Sequence, residues 1–170
     1  DEDWLTWRRT TDGWGYSPLD EITSENVGAL RMVWTRAMAP GRMEGTPLAY
    51  DGVLYMPNPR DVIQAIDATT GDLLWEYTAP GDWNSPEHQV HWTGGSMRGL
   101  AYWEGDDVTS PQIVFGTEEG ELISLDAQTG IPNARFGNDG YVDLKTADVM
   151  NGFPNMHYGI SSGVAVYKHL

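Results

Sequence analysis

A short pattern written twice constrains this chain more than any other feature. The first copy is Ala65-Ile66-Asp67-Ala68-Thr69-Thr70-Gly71, inside QAIDATTGDLLWEY; the second is Ser124-Leu125-Asp126-Ala127-Gln128-Thr129-Gly130, inside ISLDAQTGIPNARFG. Asp67 and Asp126 stand 59 residues apart. Each copy closes an apolar, β-rich run, GVLYMPNPRDVI in the first case and QIVFGTEEGELI in the second. The recurrence has a local cause. An Asp at a strand end offers its carboxylate to the N–H groups of the turn, and Thr-Gly makes that turn tight, with Gly free to take positive φ. Trp75, four residues past Gly71, is large enough to bridge to a neighbouring unit, which is a structural role. A strand, a turn and a strand repeated at this period spell an array of small antiparallel sheets.

The strands can be placed around the two copies. Arg31–Ala37 alternates as a strand does. Thr46–Ala49 and Val53–Met56 flank Asp51-Gly52, a strong hairpin signal. Val62–Asp67 and Leu73–Tyr77 follow. The second pass gives Gly99–Trp103, Gln112–Gly116, Glu121–Asp126 and a degenerate fourth strand near Ala134-Arg135-Phe136; a third pass begins at Gly159–Val166. This predicts an all-β chain, a β-propeller with four-stranded antiparallel blades. Residues 1–170 are read as the N-terminal part of one propeller domain, with blade-like passes over about 31–77, 97–136 and from 159 onward. One short helix is expected between Leu19 and Leu30, capped by Thr23 or Ser24. Residues 78–95 and 137–158 read as long excursions between blades.

Composition removes several classes of function. Forty per cent of the residues are hydrophobic, with eight Trp and eight Tyr, which is enough for a core. The net charge of −15 argues against nucleic acid or an anionic membrane surface as partner; its plain reading is solubility, its minority reading the steering of a cationic electron-transfer protein. With no Cys there are no disulfides, thiolate metal sites or cysteine nucleophiles. No apolar stretch approaches a membrane span, and no signal peptide is evident. Asp1-Glu2-Asp3-Trp4 suits a processed or internal start, and Val164–Leu170 stops inside what reads as a strand. The expectation is therefore a piece of a longer protein.

The ordered motifs resemble the N-terminal part of the quinoprotein alcohol and glucose dehydrogenase family. The resemblance rests on Tyr16–Ile22 with Asn26–Leu30, on Glu44-Gly45-Thr46-Pro47-Leu48 with Asp51–Tyr55, and on Ala65–Gly71 with Trp75 and Tyr77 as a tryptophan-docking motif. It implies an eight-bladed propeller, about two and a half blades of it in this chain, carrying pyrroloquinoline quinone (PQQ) and a calcium ion. It further implies oxidation of an alcohol, polyol or sugar, a cytochrome or quinone as electron acceptor, and a periplasmic or secreted bacterial protein. By the same resemblance Glu44, Arg98 and Ser161 contact the cofactor. Arg98 would pair with a cofactor carboxylate or quinone oxygen, and Ser161 stands where the family has a hydroxyl-bearing Thr. All three sit at the start of the first strand of successive passes. The family's catalytic Asp and its calcium ligands lie beyond the point matching Leu170, so no catalytic or metal residue is assigned. Trp92-Thr93 occupies the place of the adjacent Cys pair of alcohol-oxidising members, a departure that leaves the substrate open between simple alcohols and sugars or polyols.

Other constellations are weaker. His88 and His91 stand three apart in a loop, with no third metal ligand placed by spacing. His157-Tyr158 lies close enough to Ser161 to line a pocket. Glu104, Asp106 and Asp107 read as a solvated acidic turn, and Glu118-Glu119-Gly120 as a hairpin turn. The rival reading is a non-catalytic propeller scaffold for binding or outer-membrane protein assembly, which would share the docking motif but need neither the Glu44–Arg98–Ser161 set nor Tyr16–Leu30. Oligomeric state stays open.

Overall fold

The structure, a computed structural model, describes residues 3–10, 12–81 and 97–168. Its strands fall into two four-stranded antiparallel sheets, each strand pairing with the next in sequence. The first holds β1 (Leu48–Tyr50), β2 (Val53–Asn58), β3 (Val62–Asp67) and β4 (Leu73–Thr78). The second holds β5 (Ala101–Trp103), β6 (Gln112–Gly116), β7 (Glu121–Asp126) and β8 (Tyr141–Asp143). Each sheet has the form of a propeller blade. Asp51 and Gly52, both at positive φ, close the β1–β2 hairpin as the sequence predicts.

Alternation along the strands builds the core. Ile63 and Ala65 on β3, Ile113 and Phe115 on β6, and Ile123 and Leu125 on β7 are all fully buried in one cluster that joins the sheets. Each large side chain so buried contributes roughly 1.5–3 kcal/mol. Polar bonds fix the seam: Tyr55 Oη donates to the Ala127 carbonyl at 3.3 Å, and the Tyr77 and Tyr141 hydroxyls meet at 2.7 Å.

The repeated motif works as its chemistry dictates. Asp67 Oδ1 accepts from the N–H groups of Thr69 and Thr70, both at 2.8 Å, and Asp126 Oδ1 from Gln128 at 3.0 Å and Thr129 at 2.9 Å. The Thr70 and Thr69 N–H bonds hold the Asp67 carboxyl below the usual range. Gly71 and Gly130 take φ of +78° and +71°. Trp75, on the outermost strand of the first sheet, crosses to the second. Its Nε1 donates to the Ala127 carbonyl at 3.0 Å, and its ring lies where a side chain at Gly130 would be.

Four expectations are corrected. Arg31–Ala37 joins neither sheet. Its Trp34 instead does for the first sheet what Trp75 does for the second: Nε1 donates to the Ala68 carbonyl at 3.0 Å and the ring covers Gly71. The fourth strand of the second sheet is Tyr141–Asp143, not 134–136. Pro132 makes only an isolated bridge opposite Leu125, bracketed by the bonds Asp126 N to Ile131 O and Asn133 N to Ser124 O, and the chain then leaves β7 in a turn from Asn133 to Phe136. Residues 137–158 thus contain β8 and a short helix, α1 (Ala147–Met150). The short helix expected between Leu19 and Leu30 is present as a single 3-10 turn at Val27–Ala29, but its N-cap is Asn26 and not Thr23 or Ser24. Asn26 ties its side chain to Thr23 N and Glu21 O, and Val27 and Leu30 are exposed, so no buried face extends the helix. Gly159–Val166 is not assigned as a strand among the described residues.

Candidate functional site

The three residues singled out lie in segments that run side by side. Thr46 and Gly99 form a parallel bridge, with Thr46 N donating to Arg98 O at 3.2 Å. On the other flank of Gly99 lies Gly163: a Cβ on either glycine would fall 3.3–3.4 Å from the Cα of the other. The glycines therefore permit an approach that larger residues would prop open. Glu44 and Arg98 precede the parallel Thr46–Gly99 bridge by two residues and one, so they lie at the same end of the sheets, and the segment of Ser161 passes alongside at Gly163. The antiparallel register puts the β2–β3 hairpin, around Pro59–Asp61, at that end too.

Glu44 and Arg98 meet. Arg98 Nε lies 3.0 Å from Glu44 Oε2, an ion pair between neighbouring sheets, and Arg42 Nε lies 2.6 Å from Glu44 Oε1. The Glu44 side chain is only 20% exposed, while those of Arg98 and Arg42 are 56% and 65% exposed. A sunken carboxylate is thus flanked by two guanidiniums that face the solvent of the mouth. The three side chains carry one net positive charge on a chain of −15. A guanidinium presents donors in a fixed fork, the chemistry by which an exposed arginine can take a carboxylate oxygen. Ser161 is exposed and takes its place from the Gly99–Gly163 contact.

The sequence reading missed two residues at this end. Arg42 had a readable signal, since residues two apart on an extended chain share a side and Glu44 is such a neighbour. Asp61 had none. It is 2% exposed, and its Oδ2 accepts from Glu118 N on the β6–β7 hairpin at 2.9 Å. Burial pushes its carboxyl up to about 7; the Glu118 N–H opposes this, and the Glu118, Glu119 and Glu121 charges add to it. His88, His91 and Trp92-Thr93 lie outside the described residues. His157 and Tyr158 line a hollow of about 380 Å³ with Val149, Met150, Phe153 and Met156, all on the excursion that precedes Ser161. Asp106 closes the acidic turn on the N–H groups of Val108 and Thr109, and Glu118-Glu119-Gly120 is the β6–β7 hairpin turn. Among the described residues, no three His, Cys, Asp or Glu side chains are placed to hold a metal ion.

Residues 4–170 match the family described as PQQ: glucose/ethanol/alcohol dehydrogenase, beta-propeller domain. The chain is 41% identical over 128 residues to the dehydrogenase subunit of an alcohol dehydrogenase (quinone) from Gluconacetobacter polyoxogenes, covering 75% of this chain and 16% of that one. It is 31% identical to the quinoprotein glucose dehydrogenase of Gluconobacter oxydans, covering 98% of this chain and 22% of the relative. Its backbone matches that of the quinohemoprotein alcohol dehydrogenase from Comamonas testosteroni with a TM-score of 0.69 at 26% identity, covering 98% and 22% of the two chains. The chain therefore spans about a fifth of the length of these relatives.

Proposed function

The chain belongs to the PQQ-dependent glucose/ethanol/alcohol dehydrogenase β-propeller family, and from that premise we propose that it is the opening part of a quinoprotein dehydrogenase that oxidises an alcohol, polyol or sugar. Electrons pass on to a quinone or a cytochrome, in keeping with the names of the alcohol dehydrogenase (quinone) and quinohemoprotein relatives. Calcium as the metal and a periplasmic or secreted location rest on the family resemblance.

One observation carries the reading: Glu44 and Arg98, from successive sheets, converge at the mouth beside the segment of Ser161. The residues present fit the cofactor. PQQ bears three carboxylates on a planar ring, and the mouth offers a guanidinium with a solvent-facing edge, a hydroxyl and a net positive rim. When bound, PQQ supplies the two-electron acceptor that no side chain provides. Arg98 donates to an anionic oxygen of the ring system. Glu44, engaging Arg98 through Nε, holds that guanidinium across the seam and leaves its Nη groups for the ligand. Ser161 contributes a hydroxyl donor from the third segment. The close Gly99–Gly163 contact sets the spacing between the Arg98 and Ser161 donors. None of these roles depends on the metal.

The test is titration of PQQ into the apo form of the intact protein, followed by tryptophan fluorescence. Arg98→Ala should weaken binding by about 1–3 kcal/mol, the range for a lost charge-assisted bond. Unchanged affinity would remove Arg98 from the site.

A further inference from the structure

Arg42 is not among the residues that the family resemblance brings to the cofactor, yet its Nε lies 2.6 Å from Glu44 Oε1, closer than in the Arg98–Glu44 and Lys145–Glu119 pairs among the described residues. Its place is set by packing. A side chain at Gly41 would strike Pro59, and one at Gly45 would strike Pro57, so the turn carrying Arg42 and Glu44 lies directly on the prolines of β2 and its hairpin. From this geometry we infer that Arg42 is a positioning residue for the anionic cofactor, acting through Glu44; the inference rests on the proposed function above.

The physical argument concerns the sign of the charge. Glu44 alone would repel a polycarboxylate. Arg98 alone, paired to Glu44, gives a neutral couple whose guanidinium is already engaged. Arg42 takes the other carboxylate oxygen, so Glu44 is held from both sides and Arg98 need not neutralise it unaided. The trio then carries one positive charge, and Arg98 is available to the ligand. Removing Arg42 takes one positive charge from the trio and leaves Arg98 a larger share of Glu44.

The experiment is a double-mutant cycle on PQQ affinity in the apo form of the intact protein, with Arg42→Gln, Glu44→Gln and the double variant. Arg42→Gln should weaken PQQ about tenfold at low salt, the range for a partly exposed charged contact. Arg42→Lys should recover most of that loss. In the Glu44→Gln background the loss on Arg42→Gln should be clearly smaller, because Arg98 is then no longer claimed by a carboxylate and only the long-range charge is removed. Far-UV circular dichroism and the thermal midpoint should stay put, since the Arg42 side chain is 65% exposed. Unchanged PQQ affinity in Arg42→Gln overturns the inference. So does an equal loss in both backgrounds, which would make Arg42 a direct contact. Failure of the wild-type protein to bind PQQ would instead defeat the proposed function itself, and retained binding with Arg98→Ala sensitive but Arg42→Gln silent would defeat only this inference.

Discussion

Replacing Asp61 with asparagine removes a charge that the fold buries at the seam between its first two sheets. The carboxyl is 2% exposed, receives the Glu118 N–H, and faces the charges of Glu118, Glu119 and Glu121. Its ordinary value of 3.8 becomes about 7 in the folded protein. The sign follows from proton binding. Between those two values the folded state holds a proton that the unfolded chain has released, so stability falls as pH rises, by 1.36 kcal/mol per pH unit for this group. The interval amounts to roughly 4 kcal/mol, reached above pH 7 and absent below pH 4. Asparagine keeps an oxygen for Glu118 N and never ionises. Urea unfolding of the intact protein and its Asp61→Asn variant, run from pH 4.5 to 8.5, should give curves that converge at the acid end. They should separate towards neutrality, with the variant the more stable. Parallel curves, or a variant destabilised by the same amount at every pH, would show that Asp61 is charged throughout and refute the burial argument.

Two further perturbations probe the seam. Trp75→Phe should cost only about 1–2 kcal/mol in chemical unfolding, because Tyr55 Oη still donates to the Ala127 carbonyl and leaves no orphaned acceptor; a loss above about 4 kcal/mol would contradict that account. Gly130→Ala should cost more, about 2–4 kcal/mol, since it places a Cβ at positive φ and 2.6 Å from the Trp75 ring. The thermal midpoint of each variant measures the same order.

How much of this was legible in the sequence depended on whether a feature is local. The Asp-Ala-x-Thr-Gly turns and the hairpin at Asp51-Gly52 are made by residues within a few positions of one another, and they formed as read. The nearness of Glu44 and Arg98 was legible in that each precedes a strand start in successive passes; their ion pair was not. Asp61 was not: Pro59-Arg60-Asp61 has the composition of a solvated turn, and its burial comes from Glu118, 57 residues on. Arg31–Ala37 has the alternation of a strand, but its contacts at Ala68 and Gly71 lie more than thirty residues away. The turn from Asn133 to Phe136 displaces the fourth strand of the second sheet to Tyr141–Asp143, which is too short to signal itself by periodicity.

The Trp34 and Trp75 seats have a consequence for how such a chain can grow. Each indole is received by a backbone carbonyl and by the absence of a side chain at glycine, and by little that is peculiar to the receiving sheet. The first sheet carries both halves of this joint, the plug Trp75 on its outer strand and the socket Gly71 in its turn, so a copy of such a unit would inherit both at once. It is therefore compatible with its parent from the first generation, before any complementary surface has had time to evolve. Divergence is then free to fall on the lead-in segments such as Arg42–Glu44 and Arg98, where new chemistry can accumulate without loosening the joints that hold the array together.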